Sequence, residues 1–183
     1  MLGEPGVFLA NVQGPWLHPE ATSVEALVRV AHACPSGAIT YERRDGGPAE
    51  AAPKVNLIRL RENGPLAVRA AIEVEGAAPR LRATLCRCGR SKKKPWCDGS
   101  HVEGFVATGE PATLDVTALA VRDGVLTVRP LPDGPLDVQG SVEICSGTGR
   151  TVLRTGRARL CRCGGSASKP LCDGTHARIG FRS

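Results

Sequence analysis

Apolar residues alternate with other residues from Leu66 through Val68, Ala70 and Ile72 to Val74, and again from Leu136 through Val138, Gly140 and Val142 to Ile144. That period of two predicts half-buried strands. Residues 80–85 alternate as well and run directly into a cysteine. Residues 119–128 read as a hairpin around Asp123-Gly124. Asn63-Gly64-Pro65 and Asp133-Gly134-Pro135 are turn sequences that open the two long strands. The first 48 residues follow another period. Residues 22–34 carry Val24, Leu27, Val28 and Ala31 at helical spacing, with Thr22 and Glu25 as a capping box and Pro35 and Gly37 as the stop. Ile39-Thr40-Tyr41 predicts a short strand. Residues 45–53, rich in Gly, Pro and Ala, predict a linker.

The two alternating stretches belong to a repeat. Asn63-Gly64-Pro65-Leu66-Ala67-Val68 returns as Asp133-Gly134-Pro135-Leu136-Asp137-Val138. Leu85-Cys86-Arg87-Cys88-Gly89 returns as Leu160-Cys161-Arg162-Cys163-Gly164. Lys94-Pro95-Trp96-Cys97-Asp98-Gly99-Ser100-His101 returns as Lys169-Pro170-Leu171-Cys172-Asp173-Gly174-Thr175-His176. Both copies close on Gly-Phe, at Gly104-Phe105 and Gly180-Phe181, and the second is lengthened around residues 146–150. The expected organisation is a small N-terminal α+β segment over 1–48, a first unit over 54–110 and a second over 111–183. A unit of about sixty residues with few large apolar side chains is marginal alone. The fold class expected is therefore mainly β, with the two units packed as an intramolecular pseudo-dimer in a monomeric chain.

Composition narrows the class. Aromatic residues make up only 3% of the 183 residues, so the core must be built from Val, Leu, Ile and Ala. No apolar run approaches the roughly 18 residues of a membrane helix, and the N-terminus lacks the basic and apolar regions of a secretory signal. A cytoplasmic chain without membrane contact is the expectation. In that compartment 8 Cys point to metal ligation rather than to disulfides. A net charge of +6 suits nucleic acid, an anionic surface or an anionic cofactor.

Seen as donors, each unit offers C-x-C, eight residues, then C-x3-H: Cys86, Cys88, Cys97 and His101 in the first, Cys161, Cys163, Cys172 and His176 in the second. Three thiolates and an imidazole can hold zinc tetrahedrally or a [2Fe–2S] cluster. The fuller pattern, C-x-C-x2-S-x3-P-x-C-D-G-[ST]-H, stands complete in both copies and resembles the CDGSH iron–sulfur, or NEET, family. The resemblance covers residues 54–183. It implies two [2Fe–2S] clusters, with Cys86 and Cys88 on one iron and Cys97 and His101 on the other, and Cys161 and Cys163, then Cys172 and His176, in the second unit. NEET members with a single motif are often homodimers that share strands, and here duplication supplies the partner covalently.

Other residues take expected roles around these sets. Ser91 and Ser166 are candidates for donating to a cluster sulfur, or for shaping a turn. Asp98 and Asp173 would either N-cap a helix that aims its N–H groups at the anionic cluster or orient the His ring. Gly99 and Gly174 would allow close backbone approach. Arg80, Arg82, Arg87, Arg90, Lys92, Lys93 and Lys94 flank the first set, and Arg150, Arg154, Arg157, Arg159, Arg162 and Lys169 the second. Such cations favour the reduced cluster, although any one of them can equally be a solvated surface group.

The N-terminal segment resembles the C-terminal part of a divergent single-cluster ferredoxin domain, through Trp16-Leu17-His18-Pro19, the helix, and Cys34-Pro35-Ser36-Gly37-Ala38-Ile39. Cys34 is the only cysteine before Cys86, whereas a cluster takes about four ligands, and His18 and His32 do not make up the set. A remnant without a cluster, used for packing or partner contact, is expected. Cys145 reads as a small strand hydrophobe.

The function expected is that of a redox or electron-transfer protein, or of a cluster-transfer protein. Its partner is then a redox protein or an apo-protein that accepts the cluster. The alternative is a zinc-binding Cys3His module contacting nucleic acid or protein. Scarce aromatics, and cations crowded at the metal donors, speak against nucleic acid. No hydrolytic triad, P-loop or dinucleotide fingerprint occurs, so the chain is not expected to be an enzyme.

Overall fold

The computed structural model describes Glu4, residues 6–9 and residues 11–183. The chain divides into two compact units, residues 1–50 and 51–183.

In the first unit, helix α1 (Val24–Ala33) buries Ala26, Val30 and Ala31. Its cap falls one residue later than the sequence suggested: Ser23 Oγ accepts the Ala26 N–H at 3.3 Å. Thr22 instead donates its hydroxyl to Glu4 Oε2, which removes it as a cap. A 3-10 turn over Pro19–Ala21 leads in. Ahead of it Phe8 bridges to Leu17 and stacks on Trp16. The short strand expected at Ile39-Thr40-Tyr41 does not form: those residues join no ladder among the described residues, and the Tyr41 hydroxyl meets His32 Nε2 at 3.0 Å.

The second unit is one sheet made by both repeats. The first contributes β1 (Leu57–Leu60), β2 (Leu66–Val74) and β3 (Arg80–Leu85); the second contributes β4 (Val125–Pro130), β5 (Leu136–Cys145) and β6 (Thr151–Leu160). Inside each repeat neighbours pair antiparallel, around the Asn63 and Asp133 turns. The leading strand of each repeat then reaches into the other. β1 lies parallel to β5, Ile58 facing Ile144, and β4 lies parallel to β2, Leu126 facing Ile72. The pairings β1–β2–β4–β5–β1 close a ring, with β3 on β2 and β6 on β5 outside it. The repeats are thus an intramolecular pseudo-dimer with exchanged strands.

The burial pattern explains why the ring closes. β2 alternates strictly, with Leu66, Val68, Ala70, Ile72 and Val74 inside. These meet Leu136, Val138, Val142 and Ile144 of β5 and Ile58, Leu60, Leu126 and Val128 of the two leading strands in one core. Each fully buried Leu or Ile contributes about 1.5–3 kcal/mol, and each leading strand has both edges paired only because the other repeat supplies the second partner. Asn56, buried at the head of β1, donates through Nδ2 to Gly124 O and Ser141 O, both at 3.0 Å, and stitches the exchange.

The hairpin expected over residues 119–128 is not present. Only Val125–Pro130 is a strand, because its two edges are taken by β5 and β2. The connector ahead of it runs along β6 instead, with the Leu114 N–H on Val152 O and the Arg154 N–H on Asp115 O. No described helix is long and apolar enough to cross a membrane.

Candidate metal centres

Each donor set is assembled at the end of an outer strand. β3 delivers Cys86; the following loop folds back so that the Cys86 N–H meets Pro95 O at 2.8 Å and the Cys97 N–H meets Thr84 O at 2.9 Å. β6 delivers Cys161 in the same way, its N–H on Pro170 O and the Cys172 N–H on Arg159 O. The peptides before Pro95 and Pro170 are both cis. A chain reversal at each strand end therefore brings the distal cysteine back beside the C-x-C pair.

The donors come two by two. Cys86 Sγ and Cys88 Sγ are 3.7 Å apart, and Cys161 Sγ and Cys163 Sγ 3.9 Å. Cys97 Sγ lies 3.3 Å from His101 Nδ1, and Cys172 Sγ 3.3 Å from His176 Nδ1. Two thiolates on one tetrahedral metal with bonds of about 2.3 Å stand about 3.8 Å apart, and a thiolate and an imidazole about 3.5 Å. Each pair therefore fits one metal ion. Among the described residues no three Cys, His, Asp or Glu side chains close on a single ion. The Arg90 N–H points at Cys88 Sγ and the Gly165 N–H at Cys163 Sγ. Burial pushes the thiols of Cys88, Cys97 and Cys161 upward, so binding a metal there has to displace protons.

Serine, aspartate and glycine sort differently from the expectation. Ser91 Oγ donates to Trp96 O at 2.7 Å and accepts the Lys93 N–H; Ser166 does the same with Leu171 O and the Ser168 N–H. The one hydroxyl proton is spent on the loop, so these are turn residues and not sulfur donors. Asp98 is neither the cap residue nor a His partner. Gly99 occupies the cap position of a 3-10 turn over Ser100–Val102, while Asp98 accepts the Ser100 N–H and hydroxyl on Oδ1 and the Lys92 N–H on Oδ2. Asp173 clamps Thr175 and Ala167 likewise, ahead of α2 (Thr175–Arg178). The hydrogen bonds from Ser100 and Thr175 above all hold both carboxyls well below the usual range. A Cβ on Gly99 or Gly174 would meet nothing; their φ values of 92° and 84° require glycine.

At the donor sets, close approach of backbone to backbone falls to two glycines that sequence reasoning passed over. The C-x-C segments cross, with an antiparallel bridge from Cys88 to Cys163. A Cβ on Gly89 would lie 2.4 Å from Cys163 O, and one on Gly164 2.5 Å from Cys88 O. The repeated Cys-Arg-Cys-Gly was the available signal. Arg87 and Arg162, within those segments, are 1% and 4% exposed. Arg87 donates to Gly64 O, Arg61 O, Ala107 O and Thr108 O, and Arg162 to Gly134 O, Leu131 O and Ser183 Oγ. These acceptors are neutral. Burial lowers each guanidinium's pKa, and the facing Cys161 and Cys86, respectively, of the opposite repeat work against that. Phe105 and Phe181 lie beneath them.

The chain belongs to the CDGSH iron–sulfur domain family. Residues 63–102 and 133–177 match the family described as "Iron-binding zinc finger CDGSH type". The "CDGSH iron-sulfur domain-containing protein 1" of Rattus norvegicus is 30% identical over 87 residues, which cover 48% of this chain and 77% of the relative, and the Mus musculus protein of the same name matches equally. Membership makes this an iron–sulfur-binding protein. Residues 1–44 match a second family, "Divergent 4Fe-4S mono-cluster". In that segment Cys34 Sγ lies 3.4 Å from Ser36 Oγ. Burial raises its thiol, but the Ser36 hydroxyl and backbone N–H groups outweigh this and hold it below the usual range. The His18 ring contacts Glu20 and Pro15 O, and His32 contacts Tyr41.

The surroundings of the two sets are unequal. Beside the second is a cavity of about 270 Å³ lined by Leu131, Pro132, Pro135, Arg159, Cys172 and His176. Of the cations expected to flank that set, Arg157 and Arg159 share Asp137, Arg154 shares Glu143 with Arg122 further along the sheet, and Arg150 meets Glu110 at the opposite end of β6 from Cys161. Beside the first, Arg80 lies 4.1 Å over the Trp96 ring, and Arg90, Lys92 and Lys93 are exposed. Cys145 is buried on β5, and burial pushes its thiol up.

Proposed function

We propose that the chain carries two [2Fe–2S] clusters, Cys86 and Cys88 holding one iron and Cys97 and His101 the other, with Cys161, Cys163, Cys172 and His176 repeating the arrangement. The observation that carries this reading is the two-by-two donor spacing in both repeats. A zinc ion held by Cys3His needs four donors around one point, and the paired spacing favours the binuclear group. When bound, such a group supplies one-electron redox chemistry near neutral pH.

The chain's own residues then have defined tasks. The thiols deprotonate to bind. Asp98 and Asp173 fix the loop that carries the distal cysteine and histidine. Arg87 and Arg162 place a permanent positive charge against the cysteines of the opposite repeat, which eases the arrival of an electron. His101 and His176 are the ligands that a proton can displace, since a protonated imidazole no longer binds metal. These features suit an electron carrier, or a donor of its cluster to an apo-protein, acting as a monomer in a reducing, cytoplasmic setting. Such a role asks for no catalytic groups of the chain's own. Residues 1–48 take part as a cluster-free element for packing or partner contact, a role supported by Trp16, 61% exposed and stacked on Phe8.

The test is the optical spectrum of untagged, anaerobically prepared protein, with iron and acid-labile sulfide analysis. Visible charge-transfer bands with four irons and four sulfides per chain are expected. A colourless protein with stoichiometric zinc and no sulfide would overturn the reading.

A further inference from the structure

The loops between the two donor pairs have the same frame in both repeats but different side chains. Ser91 and Ser166 make matching turns, Asp98 and Asp173 matching clamps, and Lys94 and Lys169 each donate Nζ to the serine carbonyl. On this common frame the first repeat carries Arg90, Lys92 and Lys93 where the second carries Gly165, Ala167 and Ser168. All three cationic residues are exposed, and among the described residues none is ion-paired with a carboxylate. Arg90 reaches only the backbone carbonyl of Glu103. Asp98, the nearest acid in sequence, has both oxygens engaged by Lys92 N–H and Ser100. In the second repeat Arg154 is held on Glu143, Arg157 and Arg159 share Asp137, and Arg182 is paired with Asp133. Arg178 lies beyond the histidine, on Thr175 Oγ1.

We propose that residues 90–93 form a docking rim for an acidic protein surface, so that a partner meets the first centre and not the second. The inference rests on reading Cys86, Cys88, Cys97 and His101 as ligands of a redox centre. Charge complementarity selects the partner. Three cations on a loop held rigid by Ser91 and Asp98 give an acidic patch a preformed seat, and little ordering is lost on binding. A nucleic acid fits less well. It needs a track of phosphate contacts and a ring for base stacking, and the face of the adjacent Trp96 is covered by the Arg80 guanidinium.

Two measurements test the rim. In stopped flow, protein reduced with dithionite and freed of excess reagent is mixed with ferricyanide. Each reduced centre gives one electron to one ferricyanide, leaving ferrocyanide and the oxidised centre. At low ionic strength two phases are expected, the fast one slowing as salt is added. The variant Arg90→Gly/Lys92→Ala/Lys93→Ser, which takes the residues of the second repeat, should slow that phase roughly tenfold. Arg178→Glu should leave it in place. With the cationic hexaammineruthenium(III), which is reduced to ruthenium(II), the variant should instead react faster than the parent. A fast phase unchanged in the triple variant, or lost equally in Arg178→Glu, overturns the proposal while leaving the centres intact. The second measurement is fluorescence anisotropy of a labelled Glu-rich peptide and of a labelled single-stranded oligonucleotide of equal charge. It does not depend on which metal is bound, so a colourless preparation would defeat the ligand assignment yet still decide the rim. Peptide binding that weakens severalfold in the triple variant supports the rim. Tighter binding of the oligonucleotide at the same salt, or peptide binding indifferent to the substitutions, overturns it.

Discussion

The two repeats place eight candidate metal donors on frames with matching hydrogen bonds and surround them differently. In the first, the loop cations are exposed, and Arg80 lies over Trp96. In the second, Leu171 replaces that tryptophan, Thr155 stands where the strand begins in the first, and the arginines of β6 turn onto Asp137 and Glu143, each only 4% exposed. The donors are fixed by backbone: a strand end, a chain reversal, a crossing of two C-x-C segments. The electrostatics are fixed by side chains that backbone geometry leaves free. Duplication therefore preserved the binding sites while the charges around them diverged.

The crossing gives the sharpest way to break the comparison, because it is shared. Gly89→Ala drives a methyl group into Cys163 O, and Gly164→Ala drives one into Cys88 O. Each is expected to cost roughly 3 kcal/mol or more and to lower the iron content of both centres together, read by denaturant unfolding and metal analysis. Gly99→Ala and Gly174→Ala, with open space around the new methyl, should cost only about 1–2 kcal/mol for the left-handed backbone and spare the opposite centre.

Arg87→Met and Arg162→Met come next. The first strands four carbonyls and the second two carbonyls and a hydroxyl, so losses of about 3 and about 2 kcal/mol are expected. In redox titrations each variant should make the centre of the opposite repeat harder to reduce.

Replacing the histidines asks whether the two sets are chemically alike. His101→Cys and His176→Cys each put one more negative charge on a centre. Each should lower its potential by roughly 100 mV or more and slow its bleaching in mild acid, as followed by visible absorbance. Parent-like potentials and bleaching in both variants would remove histidine from the ligand set.

A smaller effect separates the repeats by pH. Arg157 first, with Gln139, holds the Asp137 carboxyl below its usual range; for Glu143, burial pushes upward and the Arg122 and Arg154 contacts outweigh it. Both groups have depressed folded values. The stability they confer is complete above the ordinary carboxylate range and is lost as pH falls through those depressed values. Amide exchange should show β5–β6 losing protection before β2–β3 on acidification, and Asp137→Asn should narrow the difference. The smallest expected effect is none at all: Cys34→Ser should leave iron content and visible spectrum unchanged, whereas loss of iron would give residues 1–48 a metal site.

Much of this was legible along the chain. Strict alternation placed β2 and β5, because a half-buried strand imposes a period of two. The repeated motif marked both donor sets, because coordination dictates residue type and spacing. Those are local constraints. Leu57-Ile58-Arg59-Leu60 is too short to announce a strand, and residues 119–122 looked like half a hairpin until β5 and β2 took both edges of β4. Whether Ser23 or Thr22 capped α1 turned on Glu4, far along the chain. Arg87 and Arg162 read as cations flanking the donors or equally as solvated surface groups, and only the turns that fold over them supply the carbonyls that make burial tolerable. The sequence by itself determined which atoms could bind metal and that the unit was doubled. The tertiary structure alone decided that the leading strands exchange, that the two C-x-C segments cross so closely that only glycine fits, and which cations remain unpaired. Each of those depends on groups distant in sequence competing for the same strand edge, the same cavity or the same carboxylate.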